Sequence, residues 1–198
     1  GGKILDKDID LLKNIPEIKE IKENKQKIEE ELFILKQDLE KIFSAHQKRK
    51  FKKGDYFLKE NEISDSYLIL EIGLMRSFVY NKDNQDITLE FFTKNDAVID
   101  ASSLFQKIPS NENIQAITDC VGYEIQFDDF QELFHDLEGM REWGRMWFTL
   151  QLFHAKHQKI EMITESASTR YLKILKEKPE IIQAAPLKQI ASYLGITD

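Results

Sequence analysis

The 198-residue sequence has a single cysteine, Cys120, and therefore no internal disulfide. This cysteine falls in a predicted strand, which favours a buried structural thiol, and such sparing use of cysteine is typical of a reducing cytoplasm. No apolar run approaches the eighteen or more residues that a membrane span needs, and no secretory signal pattern is present. These absences predict a soluble cytoplasmic protein without a membrane partner.

The sequence also lacks the common catalytic patterns. It has no Gly-rich phosphate loop, no GxSxG elbow and no CxxC pair. The four histidines, His46, His135, His154 and His157, lie outside the predicted sheet, where a cupin-type metal enzyme would need them. His154 and His157 share one helix face with Glu161, so a transition-metal site stands as the alternative to ordinary surface residues. We predict surface residues, with no metal, no cofactor and no enzymatic activity.

Charge is unevenly distributed along the chain. The net charge is −7, with 32% charged and 41% hydrophobic residues, as in a soluble globular protein. From residue 166 onward five cations face three anions, so this tail carries +2 and the remainder carries −9. An acidic body with a mildly basic tail is consistent with a nucleic-acid-binding end on a domain that does not bind nucleic acid.

The N-terminal quarter, to about residue 43, is predicted to be helical. Its apolar residues follow a 4-3-4-3 spacing, with Ile21 one heptad before the first: Ile28, Leu32, Leu35, Leu39 and Ile42. This spacing allows a short coiled coil or an amphipathic helix that lies on the next domain. With only about three heptads, we favour the second interpretation.

From residue 51 the pattern changes to short strands separated by turn residues. Strands are predicted at 56–58, 67–72, 75–80, 87–92, 114–118 and 123–127, and a short helix at 128–135. Short strands at roughly ten-residue spacing indicate an antiparallel sandwich or barrel. The fold class is therefore predicted to be α+β.

Residues 138–164 are predicted to form a long helix that is apolar on more than one face. Such a helix needs more than one partner, and the economical solution is its own β-domain together with its twin in a homodimer. A buried helix in a monomer is the alternative. The predicted dimer interface consists of Trp143, Met146, Trp147, Leu150, Phe153, His157 and Ile160.

Residues 186–197 match the first helix and turn of a helix-turn-helix. Leu187, Ile190, Ala191 and Leu194 form one apolar face, with Pro186 at the first helical position. Gly195 supplies the left-handed backbone that ends a helix, and Thr197 can cap a following one. The motif is predicted to be incomplete, because the helix that would enter the major groove is not in this sequence.

The order of these elements resembles that of the Crp/Fnr family of bacterial transcription regulators. The matching segments are Phe51-Lys-Lys-Gly-Asp-Tyr56, the hairpin 67–76, the strand 87–92, Arg170-Tyr-Leu, Pro179-Glu and 186–197. The resemblance implies a cyclic-nucleotide-binding-like β-roll, an antiparallel double-stranded β-helix of jelly-roll type. It also implies four parts: a helical segment at 1–45, the β-roll at 46–137, a dimerisation helix at 138–165 and the start of a winged-helix or helix-turn-helix domain at 166–198.

The family's phosphate-binding residues transfer poorly to this sequence. The Gly-Glu position corresponds to Asn95-Asp96 and the Arg-Ser/Thr position to Ser110-Asn111, and no Arg or Lys lies between Ile108 and Cys120. A buried phosphodiester is usually held by a bidentate arginine, so we predict that cyclic AMP is not bound in the family manner. Iron–sulfur sensing is also excluded, because it takes about four thiolates and Cys120 is alone. The candidate effector pocket comprises Asn95, Asp96, Ser102, Ser103, Ser110 and Asn111, and solvated turn residues around an empty pocket are the alternative.

The resemblance implies a dimeric DNA-binding transcription regulator with an unidentified small-molecule effector. Within the residues present, contacts to DNA phosphates are expected from Lys188, Gln189, Ser192 and Thr197. The alternative is a ligand-binding or protein-interaction module that retains the β-roll without DNA binding.

Overall fold

The computed structural model describes residues 16–196 of the chain, and it divides between Ser44 and Ala45 into two compact units. The described part of the first unit forms a helix, α1 (Pro16–Ala45), which agrees with the helix predicted there, while residues 1–15 of that prediction lie outside the described residues. The described residues from Ala45 onward pack into the second unit, which includes the β-domain, the long helix and the tail. No helix among the described residues is long and apolar enough to cross a membrane.

Eight strands form two antiparallel four-stranded sheets in the second unit. One sheet has the order β1-β8-β3-β6 and the other β2-β7-β4-β5. The strands are β1 (Gln47–Phe51), β2 (Tyr56–Leu58), β3 (Ser66–Ile72), β4 (Met75–Tyr80), β5 (Asp86–Phe92), β6 (Ala97–Val98), β7 (Asn113–Ala116) and β8 (Cys120–Gln126). The predicted antiparallel β-roll is confirmed, and the bounds of β2 and β4 are those expected from the sequence.

The inner faces of the two sheets enclose the main hydrophobic core. Leu68 and Leu70 of β3, Met75 of β4 and Ile114 of β7 are almost completely shielded from solvent and pack together. The β3–β4 turn needs Gly73, which has φ +100° and whose missing Cβ would lie 2.5 Å from the carbonyl oxygen of Asp119. Close packing at this turn therefore fixes the position of the β3–β4 hairpin against the start of β8.

Three elements of the β-domain had no clear signal in the sequence. Strand β1 contains mostly polar residues with exposed side chains, and it exists because it pairs along β8 from Gln47–Glu124 to Phe51–Cys120. Strand β6 has only two residues, and helix α2 (Ala101–Gln106) has only six. Elements this short or this polar carry no readable hydrophobic period, so tertiary pairing decides them.

Two helices follow the β-domain, namely α3 (Phe127–Asp136) and α4 (Glu138–Thr164). The bounds of α4 coincide with those predicted. Gly144 is buried where α4 meets α3, and a Cβ there would lie 2.8 Å from the Phe134 ring. The absence of a side chain at this position allows the two helices to pack closely.

The tail consists of three short helices, α5 (Ala167–Glu177), α6 (Pro179–Ala184) and α7 (Leu187–Tyr193). Pro186 is the N-cap residue of α7, one position earlier than predicted, and Leu187 is exposed although its pattern placed it on the apolar face. Gly195 has φ +66°, and the Ile196 N–H donates to the Ala191 carbonyl at 2.9 Å. This left-handed glycine and its closing hydrogen bond give the helix end that the helix-turn-helix pattern predicts.

Candidate functional site

Two of the predicted effector residues, Ser103 and Ser110, are buried together with Asp100. Ser110 Oγ donates to Asp100 Oδ2 at 2.7 Å, and the Ser103 N–H donates to Asp100 Oδ1 at 3.1 Å. Ser103 Oγ donates in turn to the Ile108 carbonyl at 2.7 Å. We call Asp100, Ser103 and Ser110 the polar cluster, and its hydrogen-bonding groups are already paired within the chain.

Asp100 was not among the predicted site residues, although it holds the cluster together. It is the N-cap of α2, with an extended backbone (φ −98°) and a side chain that accepts from the first turn. Aspartate directly before a helix is a typical N-cap, so the local signal was present in the sequence. It went unread because α2 itself is too short to be predicted.

The other four predicted effector residues do not join the polar cluster. Ser102 and Asn111 expose their side chains, and Asn95 adopts a left-handed backbone (φ 70°) in the turn between β5 and β6. Asp96 Oδ2 accepts the N–H and the hydroxyl of Thr93 at 2.8 and 2.9 Å. Its bonds therefore close the turn that precedes β6 instead of reaching Ser110.

The surroundings of the polar cluster are acidic. The Glu112 N–H donates to Ser110 Oγ at 3.1 Å. Burial raises the pKa of the Glu112 carboxyl, a hydrogen bond with Ser77 works in the opposite direction, and the charge of Asp100 raises it further. A phosphate entering here would meet carboxylates and no guanidinium, which is the reverse of a phosphodiester site.

A buried guanidinium does exist in the β-domain, at Arg76 of β4, but it is already paired. Arg76 Nη2 donates to Asp86 Oδ2 at 2.6 Å and Nη1 donates to Thr88 Oγ1 at 2.9 Å. The guanidinium also lies 4.1 Å from the centre of the Phe78 ring. With its oxygen turned toward Arg76, the Gln189 amide accepts from Nε and Nη2 at 3.3 Å. Arg76 therefore connects the β-domain to the tail.

The tail packs against the β-domain through a second hydrophobic core. Leu74, Phe91 and Ile117 of the β-domain are buried against three tail residues: Ile181, Ile190 and Leu194. Phe91 and Tyr193 meet edge to face, with ring centroids 5.2 Å apart. Because β5 is the last strand of its sheet, α7 covers an edge that would otherwise be open.

Polar contacts fix the position of the tail on this edge. Ser192 Oγ accepts the backbone N–H of Thr88 at 3.1 Å, and Lys178 Nζ donates to Asp96 Oδ2 at 2.8 Å. Gln158 of α4 donates to the Tyr193 hydroxyl at 2.7 Å. The tail is thus tied both to the β-domain and to the long helix.

This packing separates the residues predicted to contact DNA. Lys188 is exposed, whereas Gln189 is half-buried beside Arg76 and Ser192 is half-buried with its hydroxyl bonded to Thr88. Thr197 lies outside the described residues. Among the three described residues of this set, Lys188 has the side chain that is open to solvent in this conformation. The role of all four residues in DNA binding stays a prediction.

An apolar stripe on α4 is open to solvent in this chain. Met146, Leu150, Phe153 and Ile160 expose between 46 and 57% of their surfaces, and His157 on the same stripe is also exposed. This is the surface that the sequence predicts to pair with a second copy.

Trp143 and Trp147, which were predicted for the same interface, have neighbours within the chain. Their rings stack with centroids 6.4 Å apart, and Trp147 meets Phe148 edge to face at 4.9 Å. Both tryptophans line an open, apolar groove with Tyr67, Phe105 and Phe130. They therefore contribute to packing of α4 on its own β-domain.

The remaining candidate residues have ordinary structural roles. Glu161, a member of the alternative metal site with His154 and His157, forms an ion pair with Lys173 of α5. The described residues contain no group of three ligand-type side chains able to hold a metal. Cys120 is buried, as predicted, and its thiol donates to the Leu74 carbonyl at 3.4 Å. Burial raises the pKa of this thiol.

Comparison with known proteins identifies the domain type. Residues 48–136 match the family model of the cyclic nucleotide-binding domain. This segment begins in β1 and ends with α3, so it contains the polar cluster and both sheets. The sequence matches none of the curated proteins at a significant level.

Several solved regulators share the fold at low sequence identity. FixK2 from Bradyrhizobium japonicum superposes with a TM-score of 0.65 at 16% identity, covering 77% of this chain and 78% of that one. The c-di-GMP-responsive regulator CLP from Xanthomonas campestris gives 0.61 at 13% identity, covering 81% and 84%. The Thermus thermophilus catabolite activator protein gives 0.56 at 15% identity, covering 81% and 77%. The resemblance to the Crp/Fnr family is therefore confirmed in the cyclic nucleotide-binding domain and in the fold of this chain.

Proposed function

We propose that this chain belongs to a cytoplasmic, dimeric, DNA-binding transcription regulator whose β-roll is the sensor and whose tail begins the DNA-binding domain. The observation that carries the proposal is the end of α7, where Gly195 turns the chain with a left-handed backbone. This is the geometry at which a second helix would start in a helix-turn-helix. The regulators of similar fold support the same assignment.

Contact between sensor and tail gives the proposed regulator a route from input to output. Phe91 and Leu74 share a core with Ile190 and Leu194. Because this core is closely packed, a displacement of β5 would also displace α7. Ser192 and Gln189, two of the proposed phosphate contacts, face the sensor in this conformation. Full engagement of DNA by these two side chains would require the tail to move relative to β5.

Dimerisation is proposed through the stripe on α4. Apolar side chains at 4-3-4-3 spacing lie exposed along Met146, Leu150, Phe153 and Ile160, and pairing with a second copy would bury them. Two tails in a two-fold dimer could then present their recognition helices about one DNA turn apart.

The effector of the proposed sensor is not cyclic AMP bound in the family manner. The polar cluster is centred on the Asp100 carboxylate, and Glu112 adjoins it. We expect no measurable binding of cyclic AMP to the full-length protein by calorimetry at micromolar concentrations. Binding at micromolar or tighter affinity would contradict this part of the proposal.

The decisive test of the proposal is DNA binding by the full-length gene product. Genome-wide mapping of its binding sites is expected to return one recurring two-fold symmetric sequence, since two-fold dimers read pseudo-palindromic sites. Absence of any enriched site would favour the alternative, a ligand-binding or protein-interaction module. The observation that keeps this alternative open is the contact of Ser192 and Gln189 with the sensor.

The exposed Lys188 offers a sharper test of how DNA is contacted. Lys188→Ala is expected to weaken binding equally for specific and unrelated sequences and to lower the slope of log affinity against log salt by about one. Fluorescence anisotropy over a salt series measures both quantities. The neighbouring exposed Leu187→Ala is the matched control, and an altered sequence preference in Lys188→Ala would contradict a phosphate contact.

A further inference from the structure

Helix α1 carries a second apolar stripe that is open to solvent. Ile28, Leu32, Leu35 and Leu39 expose between 42 and 59% of their surfaces. Four large aliphatic side chains in one line along a helix are unfavourable in water, at roughly 25 cal/mol for each Å² of apolar surface left exposed. The stripe therefore needs a partner.

The stripe follows a heptad register with one polar interruption. Leu32 and Leu39 occupy a positions, and Ile28 and Leu35 occupy d positions. One heptad before Leu32, the a position is occupied by Lys25, whose ammonium lies 3.8 Å from the carboxylate of Glu29 on its own helix. A single lysine at an a position specifies register and strand number in coiled coils, at a cost in stability.

Charges beside the stripe distinguish parallel from antiparallel pairing. Glu31 and Asp38 occupy g positions and Lys36 occupies an e position. In a parallel pair, each g residue faces the e residue five positions later on the other helix, so Glu31 faces Lys36 twice by symmetry. In an antiparallel pair, g residues face g residues, which would bring the carboxylates of Glu31 and Asp38 together.

We propose that α1, instead of lying on the next domain as favoured from the sequence, forms a parallel two-stranded coiled coil with α1 of a second copy of this chain. Charge complementarity points to a second copy as the partner, because Glu31 of each helix faces Lys36 of the other in parallel orientation. Leucine at a with isoleucine at d favours larger bundles. Lys25 opposes them, since three or four ammonium groups would meet in one seam, whereas two can turn outward to Glu29.

Disulfide trapping in the full chain tests the proposal at a chosen point of α1. Leu35→Cys places a thiol at a d position, which meets its own copy in a parallel pair, and Gln37→Cys places one on the opposite face as the control. The native Cys120 is buried and contributes little to cross-linking. Under mild oxidation we expect covalent dimers to form at least about tenfold faster with Leu35→Cys, because disulfides demand close Cα atoms.

Charge reversal then tests the orientation. In the Leu35→Cys chain, Glu31→Lys puts like charges opposite each other twice and is expected to slow cross-linking by about fivefold. Adding Lys36→Glu restores opposite charges and is expected to restore the rate. Equal cross-linking at positions 35 and 37, failure of the double variant to recover, or a tetrameric mass by light scattering would each overturn the proposal.

Discussion

The polar cluster of the β-domain and the apolar stripe of α4 belong to the same folding unit and differ in how far their groups are paired within one chain. Around Asp100, the buried hydroxyls and the helix N–H find partners within one chain. Along α4, Leu150 and Phe153 expose more than half of their surfaces. A single chain thus supplies the hydrogen-bond partners of the first region but does not bury the apolar side chains of the second.

This difference bears on which kind of partner each region favours. A closed hydrogen-bond network resists an incoming ligand, because each new contact must replace one that already exists. An exposed apolar stripe favours association, because pairing removes its surface from water. The exposed stripe therefore favours binding of a macromolecule, whereas the paired groups of the polar cluster disfavour binding of an anionic effector.

The largest effect is expected from a charge in the α4 stripe. Leu150→Glu would place two carboxylates in the proposed dimer seam and raise the dimer dissociation constant by at least about 100-fold. Sedimentation equilibrium measures the constant. Gln151→Glu, one residue along on the same helix, is the matched control and should change it little. An unchanged constant for Leu150→Glu would place dimerisation elsewhere.

A smaller effect is expected at the polar cluster. Asp100→Ala removes the N-cap of α2 and the acceptor for Ser110, and should lower the free energy of unfolding by about 2 kcal/mol. Asp100→Asn keeps one acceptor oxygen and should lose about half as much. Urea unfolding gives both values, with the exposed Ser102→Ala as the control. Equal stability of all three variants would show that the cluster does not hold this region together.

The smallest effect is expected where the β-domain meets the tail, because the raised pKa of Glu90 predicts a dependence on pH. Although Glu90 is exposed overall, desolvation followed by the charges of Asp96 and Glu112 raises the pKa of its carboxyl to about 7, while Lys178 lowers it. A raised carboxyl pKa favours the protonated native form. The contribution of Glu90 to the stability of the native state is therefore complete below the ordinary carboxyl pKa of 4.5, and it is lost as pH rises through about 7.

Hydrogen exchange of α7 measures this pH dependence. Protection of α7 should fall between pH 5 and pH 8 in the unaltered chain and fall less in Glu90→Gln, whose side chain does not titrate. Besides these carboxylates and Lys178, the Tyr193 hydroxyl faces Glu90. Burial, followed by the charge of Glu90, raises the pKa of this hydroxyl, so Tyr193 stays protonated in this range. An identical pH profile in both proteins would remove Glu90 as the cause.

The sequence predicted those elements whose own residues carry a strong period. Helix α4 begins and ends where its apolar spacing begins and ends, and strand β4 is bounded by the turn residues on either side. In both, local preference and burial agree, so no distant residue is needed to decide the structure. The left-handed Gly195 was predicted for the same reason, because its backbone conformation is a local property.

The candidate site was only half predicted, and the error has a physical cause. Ser103 and Ser110 were identified, but Asp100 was missed and Asp96 was placed beside them. Asp96 closes a turn and Asp100 begins a helix, and the two are four residues apart. Which of them reaches Ser110 depends on how β6 and α2 pack, and those elements are too short to be read from a single sequence.

By itself, the sequence determined the antiparallel strands of the β-domain, the long helix and the tail helix that ends at a left-handed glycine, because each follows from periodicity and turn residues within about thirty positions. Only the tertiary structure decided that α7 closes the edge of β5, that Ser192 bonds to Thr88, and that Asp100 occupies the polar cluster. These contacts join residues far apart in the chain or choose between similar neighbours. They depend on which surfaces remain unpaired after the local elements have formed, and no local pattern encodes that.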